Sequence, residues 1–282
     1  MSLVFTAVCS HAPGITGREE RAPPELREPF YAALHRLRDA LADARPDAVI
    51  VLAAEHFANF FMANMPAYAL GMGEEYDGPI EDPAWLRIPH RTVKGDADLS
   101  RRLIAGVLQT VDVAYSEEWR FDHGIMVPLH FLDPENRYTI IPGNINCQGP
   151  PLTPLHRAWA FGEAIRRAAD AMPERIALIG TGGISHWPAT PDSGRINAEW
   201  DRDFLDRWAR QDKAALLAYT DAETYADAGQ GGFEIRTFVA AAAAAGGVGE
   251  VWHYAPIPIY AVGCTVAVKA IAPLAPALKA AA

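Results

Sequence analysis

The chain has 282 residues, half of them hydrophobic and 21% charged, with a formal net charge of −10. That length fits one large domain or two small ones, and the composition supports a sizeable core. The acidic balance, with no block of Lys and Arg, argues against a nucleic-acid or anionic-membrane partner, because either would need a basic patch.

Taken in chain order, SLVFTAV (residues 2 to 8) reads as a buried strand, followed at once by CSHAPG. A helix is expected over 24 to 44, where Phe30, Leu34, Leu37 and Leu41 recur at helical spacing. DAVIVLAAEH is a second apolar run that ends at Glu55 and His56. The Pro- and Gly-rich stretch from 71 to 89 reads as an excursion over the surface or a pocket. RYTIIPGNINC is a third strand and leads to a helix over 153 to 171. RIALIGTGGISH is a fourth, with a polar, glycine-bearing exit. Residues 195 to 213 and 234 to 245 read as helices, and EVWHYAPIPIYAVGCTVAV as a pair of strands. The alternation predicts an α/β fold, a central largely parallel or mixed sheet flanked by helices, in a single domain over 1–270. An Ala/Pro-rich tail over 271–282 is expected to be loosely held.

Cys9, Cys147 and Cys264 lie far apart and show no CxxC spacing, which suits a reducing compartment better than a disulfide framework. The start, MSLVFTAVCSHAPG, lacks a basic region and a long apolar run, so it does not read as a signal peptide. No segment approaches the roughly 18 apolar residues of a membrane span. A soluble, cytoplasmic protein is the expectation.

Three predicted strands end alike, at His11, His56 and His186. In open α/β sheets ligands gather outside the carboxyl ends of the strands, so these imidazoles would converge while far apart in sequence. RFDHGIMVPL adds His123, preceded by Asp122, which by adjacency is expected to orient one of its ring nitrogens. Glu234 follows a glycine cluster at the start of an apolar helix, where it can cap the helix or ligate a metal. Two imidazoles and one carboxylate, with positions left open, form the facial triad of non-haem Fe(II) oxygen chemistry. A zinc hydrolase with a bound water can use the same set, and the residues alone leave both open.

The stretches CSHAPG, VLAAEHFANFFMANMPAYALG, FDHGIMVPLHFL, IPGNINCQGPPLTPLHRAWAFGEAI, IGTGGISHWP and FEIRTFVAAAAA, in this order, carry a resemblance. The sequence resembles the class III (LigB-type) extradiol ring-cleavage dioxygenases, from residue 3 to about 265. That family includes the catalytic chain of protocatechuate 4,5-dioxygenase and the 2,3-dihydroxyphenylpropionate 1,2-dioxygenases. The resemblance implies that His11, His56 and Glu234 bind Fe(2+), that His186 is the acid/base, and that His123 hydrogen-bonds substrate or oxygen. It also implies a catechol-type substrate, O2 as co-substrate, a muconate-semialdehyde-type product and a homo-oligomer. Phe57, Asn59, Trp187 and Arg236 flank these positions and are candidate substrate contacts. The competing readings are a metal-dependent hydrolase and a catalytically silent, Memo-like binding protein; the intact His11, His56 and Glu234 set argues against the latter.

Overall fold

The structure is a computed structural model and describes residues 2–274. In chain order the strands are β1 (Leu3–Ser10), β2 (Ala48–Ala53), β3 (Tyr68–Gly71), β4 (Glu75–Gly78), β5 (Arg91–Lys94), β6 (Ala114–Ser116), β7 (Thr139–Ile145), β8 (Ile176–Gly182), β9 (Gly246–Ile257) and β10 (Val262–Ile271). Eight of them make one sheet in the order β6-β3-β7-β2-β8-β1-β10-β9, and β4 pairs with β5 in a separate ribbon. The centre, β7-β2-β8-β1, is parallel. Antiparallel pairs flank it, β3 against β7 on one side and the β9–β10 hairpin against β1 on the other. The sheet is therefore mixed, and the two strands expected near the C-terminus supply much of its antiparallel part.

The helices are α1 (Gly14–Gly17), α2 (Pro24–Ala44), α3 (Pro83–Leu86), α4 (Ala97–Val107), α5 (His123–Leu132), α6 (Leu155–Asp170), α7 (Ala198–Ala209), α8 (Lys213–Leu217), α9 (Asp221–Ala228) and α10 (Ile235–Ala245). Side chains alternate across the sheet with the period of two that strands impose. Val8, Ile50, Leu52 and Leu178 join α4, α6, α7 and α10 in one core. Ala7, Cys9, Val49, Val51 and Ile179 join α2 and α5 in the other. One sheet thus serves both cores, and the chain forms a single domain.

Helices α6 and α10 cross closely. All six alanines from Ala240 to Ala245 are fully buried, and a Cβ added at Gly162 would come within 2.0 Å of the Ala240 carbonyl oxygen. Small side chains let the helices approach backbone to backbone, which seats the N-terminal end of α10, and with it Glu234, against the sheet. Ile271 pairs with Gly246 and closes β10, so the segment expected as tail begins inside a strand; residues 275–282 lie outside the described residues. Among the described residues no helix is long and apolar enough to cross a membrane.

Candidate active site and metal centre

The strands β2, β8 and β1 are neighbours in the sheet, and their carboxyl ends open on one edge. His11 follows β1 directly, His56 lies three residues past β2, and His186 four past β8. His123 is the first residue of α5, behind its N-cap Asp122. Glu234 ends the short 3₁₀ turn Gly231–Glu234 that leads into α10. Glycines make the room: a Cβ at Gly183 or Gly231 would stand 2.4 Å or 2.3 Å from the His186 ring. With the His186 ring in this position only a residue without a side chain fits at these two places, which explains Gly183 of GTGGISH and Gly231 of GQGG.

The fold brings His11, His56, His123, His186 and Glu234 together. Glu234 Oε2 lies 3.2 Å from His11 Nε2 and its Oε1 3.3 Å from His56 Nε2, with His186 Nε2 at 3.8 Å. The His56 and His123 rings stack at 4.0 Å, and His11 stands edge-on to both. Each ring's far nitrogen is pinned. The Thr181 hydroxyl donates to Gly124 O at 2.8 Å, so it must accept from His11 Nδ1–H at 3.0 Å. Asp122 Oδ2 accepts from both the backbone N–H and the Nδ1–H of His56, each at 2.9 Å. His186 Nδ1–H donates to Ile184 O at 3.2 Å. In all three rings Nε2 faces the Glu234 side, and where the ring is neutral its lone pair points there.

Two lone pairs facing a carboxylate at these distances repel one another unless a cation lies among them. This donor set, with its Nδ1–H groups held from behind, fits a divalent metal. Without a metal the same demand is met by a proton. Burial would lower His56, yet the Asp122 and Glu234 carboxylates push it up to about 10. Burial would raise Glu234, yet the His11 and His56 rings hold it well below the usual carboxylate range. His186 and His123 are both held below the ordinary imidazole value, chiefly by burial. His11, His56 and His123 also offer nitrogens within 4.8 Å of one another, a second grouping of possible ligands.

A cavity of about 440 Å³ opens over these side chains, walled by Pro13, Tyr260 and Val262, with Arg18 and Trp85 also lining it. The stretch expected as an excursion therefore does reach the pocket, through Trp85. The four flanking candidates do not line the cavity. Arg236 is buried and its guanidinium is taken up by Thr153 O, Phe233 O and Asp221. Trp187 is buried beneath Arg195, Asn59 binds the backbone of Arg120, and Phe57 is 40% exposed. Adjacency in sequence does not by itself carry a side chain into the cavity, because each of these side chains is directed elsewhere by its own contacts or exposure. It fails for Asp122 too, which holds His56; the partner of His123 Nδ1 is Glu81, at 2.6 Å.

The family model for the catalytic LigB subunit of aromatic ring-opening dioxygenases matches residues 5–265. The chain belongs to the LigB family. Among the relatives, a protein of Paraburkholderia xenovorans named 2,3-dihydroxyphenylpropionate/2,3-dihydroxicinnamic acid 1,2-dioxygenase is 30% identical, over 90% of this chain and 94% of its own. A protein of Dechloromonas aromatica with the same enzyme name is 28% identical over the same shares. An uncharacterized protein of Escherichia coli K12 shares the fold, with a TM-score of 0.64, 16% identity, and coverage of 94% of this chain and 99% of that one. A LigB-family chain with homologues of this kind is a catechol ring-cleaving dioxygenase, so the expected reaction class agrees with the motifs.

Proposed function

We propose that this LigB-family chain is an Fe(II)-dependent extradiol dioxygenase in which His11, His56 and Glu234 hold the metal. The observation that carries the ligand set is the pair of Nε2 atoms facing Glu234 at 3.2 and 3.3 Å, each on a ring whose Nδ1 is held from behind. When bound, the iron supplies the route by which electrons pass from an aromatic ring to dioxygen. The chain's own residues do the rest. The apolar wall of Pro13, Tyr260 and Val262 receives the ring and excludes water. His186, neutral because it is buried, takes a hydroxyl proton from the catechol at Nε2 and returns it as the ring opens. His123 also lines the cavity and holds a hydrogen bond to substrate or oxygen. The substrate is a substituted catechol of the kind the relatives' names give, a ring with a short acidic side chain.

The test is anaerobic loading with Fe(II), followed by oxygen uptake on a panel of substituted catechols. Oxygen consumed should equal catechol lost, with both atoms of labelled dioxygen in the product before exchange. His11→Ala, His56→Ala and Glu234→Ala should each remove most of the iron, whereas His123→Ala should keep it. Iron lost from His123→Ala but kept in Glu234→Ala would favour the three-histidine grouping instead, and full iron in both His11→Ala and His56→Ala would overturn either grouping.

A further inference from the structure

The stretch 71 to 89 is not explained by iron or by the ring pocket alone. It is clamped along the segment that leads into α5: Phe121 N donates to Asp77 O at 2.8 Å and Ile80 N to Phe121 O at 2.9 Å. Asp77 and Arg120 form a parallel bridge. A Cβ at Gly78 would stand 2.7 Å from Phe121 Cβ, so this approach needs a glycine. On the other side of Glu81, Asp82 caps α3 through Ala84 N at 2.8 Å. The backbone at residue 81 is therefore fixed before and after, directly beside residue 123.

Glu81 Oε1 accepts two hydrogens there, from His123 N at 2.9 Å and from the ring Nδ1–H at 2.6 Å. Glu81 Oε2 is buried, and among the described residues no donor reaches it. Both side chains are mostly shielded, 17% exposed for Glu81 and 14% for His123. Among the described residues, then, His123 supplies every hydrogen this carboxylate accepts. A carboxylate that served only to cap α5 would not be needed, because Asp122 already binds Gly124 N at 2.9 Å.

We propose that Glu81 is a positioning residue for ring cleavage, fixing the His123 ring with hydrogen on Nδ1 so that Nε2 is the nitrogen offered to the cavity. The assignment rests on the reading of that cavity given above. His11 and His56 are pinned at Nδ1 by Thr181 and Asp122 respectively, and Glu81 does the same for His123, which is not assigned to the metal. With Glu81 gone, His123 is free to turn or to change tautomer, and its cavity-side nitrogen no longer has a fixed role.

The experiment is a double-mutant cycle on the iron-loaded enzyme, with Glu81→Ala, His123→Gln and the pair, and Glu81→Gln beside them as the variant closest in shape. Glu81→Ala should lower kcat about 10- to 100-fold, the usual cost of losing such an orienting carboxylate, with KM changed less. Glu81→Gln should lie between it and wild type. In the His123→Gln background, Glu81→Ala should cost less than about twofold, because both changes remove one interaction. Independent, additive losses would overturn the proposal. A second arm reads the ring without turnover. Histidine ¹⁵N spectra of the full chain without metal should show Nδ1–H at His123 in wild type and a shifted tautomer balance in Glu81→Ala. An unchanged tautomer would overturn the proposal as well. If wild type opens no catechol, the functional reading falls, and the ¹⁵N arm alone decides the role of Glu81.

Discussion

In the proposed assignment His186 is the residue whose chemistry separates most cleanly from metal binding. Its Nδ1–H is held by Ile184 O, and its Nε2 stands further from Glu234 than either His11 or His56 does. His186→Gln should therefore keep the iron while turnover falls by about 10²–10⁴, the usual worth of a positioned proton-transfer group. The pH dependence follows from the direction of its shift. Burial lowers the imidazole from its ordinary value of 6.5, so the folded enzyme keeps a neutral base down to a lower pH. The acid limb of kcat/KM should lie below pH 6.5 and should flatten in the variant. A profile of unchanged shape in His186→Gln would assign the limb to another group. Burial also adds a stability effect of matching sign: as pH falls past 6.5 the unfolded chain takes up the proton first, so the folded state loses stability.

Among the elements, α10 is the one through which packing reaches the chemistry, since it begins right after Glu234 and lies against α6. Gly162→Ala sets two effects against each other. Alanine gains about 1 kcal/mol of helix propensity over glycine. The new Cβ, however, would stand 2.0 Å from the Ala240 carbonyl oxygen, and backbone cannot swing aside as a side chain does. Overpacking of this kind costs about 1–3 kcal/mol and should win. A thermal melt should show a net loss of stability, and because the helices must separate, iron affinity should weaken too. A melt at or above the wild-type temperature would mean that the crossing has room for the added methyl.

Much at the element scale was legible in the sequence. The helix over 24 to 44 and the strands ending near His11, His56 and His186 announce themselves by period and by abrupt glycine or histidine exits. α5 did not, because eight of its ten residues are buried and Pro128 sits inside it, leaving no polar face to mark a helical period. Glu81 left no trace either. Its role depends on clamps between residues about forty apart, and an acidic residue in a Pro- and Gly-rich stretch looks like any solvated loop group.

At the scale of the whole molecule, the proposed ligands come from residues 11, 56 and 234, so a bound metal ties the first strand to the last helix. Metal binds the folded chain alone, and its stabilisation grows with concentration, to about 2.7 kcal/mol at a hundred times Kd. Chelation should lower Tm by roughly 5 °C, using about 2 °C per kcal/mol as for large domains. Adding Fe(II) anaerobically should restore it, whereas Glu234→Ala should melt at the same temperature with and without metal. A Tm indifferent to metal in wild type would count against a site built across the fold.

The position of β1 has a consequence for biosynthesis. Its two neighbours in the sheet are β8 and β10, so LVFTAVCS finds no partner until residue 176 has been made. At roughly 5–20 residues per second that is a wait of about 10–30 s, with an apolar strand and both its edges unsatisfied. The second edge stays open until β10 follows. The nascent strand is therefore exposed throughout the making of residues 11 to 175, and the centre that would hold the iron comes into being only once residue 234 has followed.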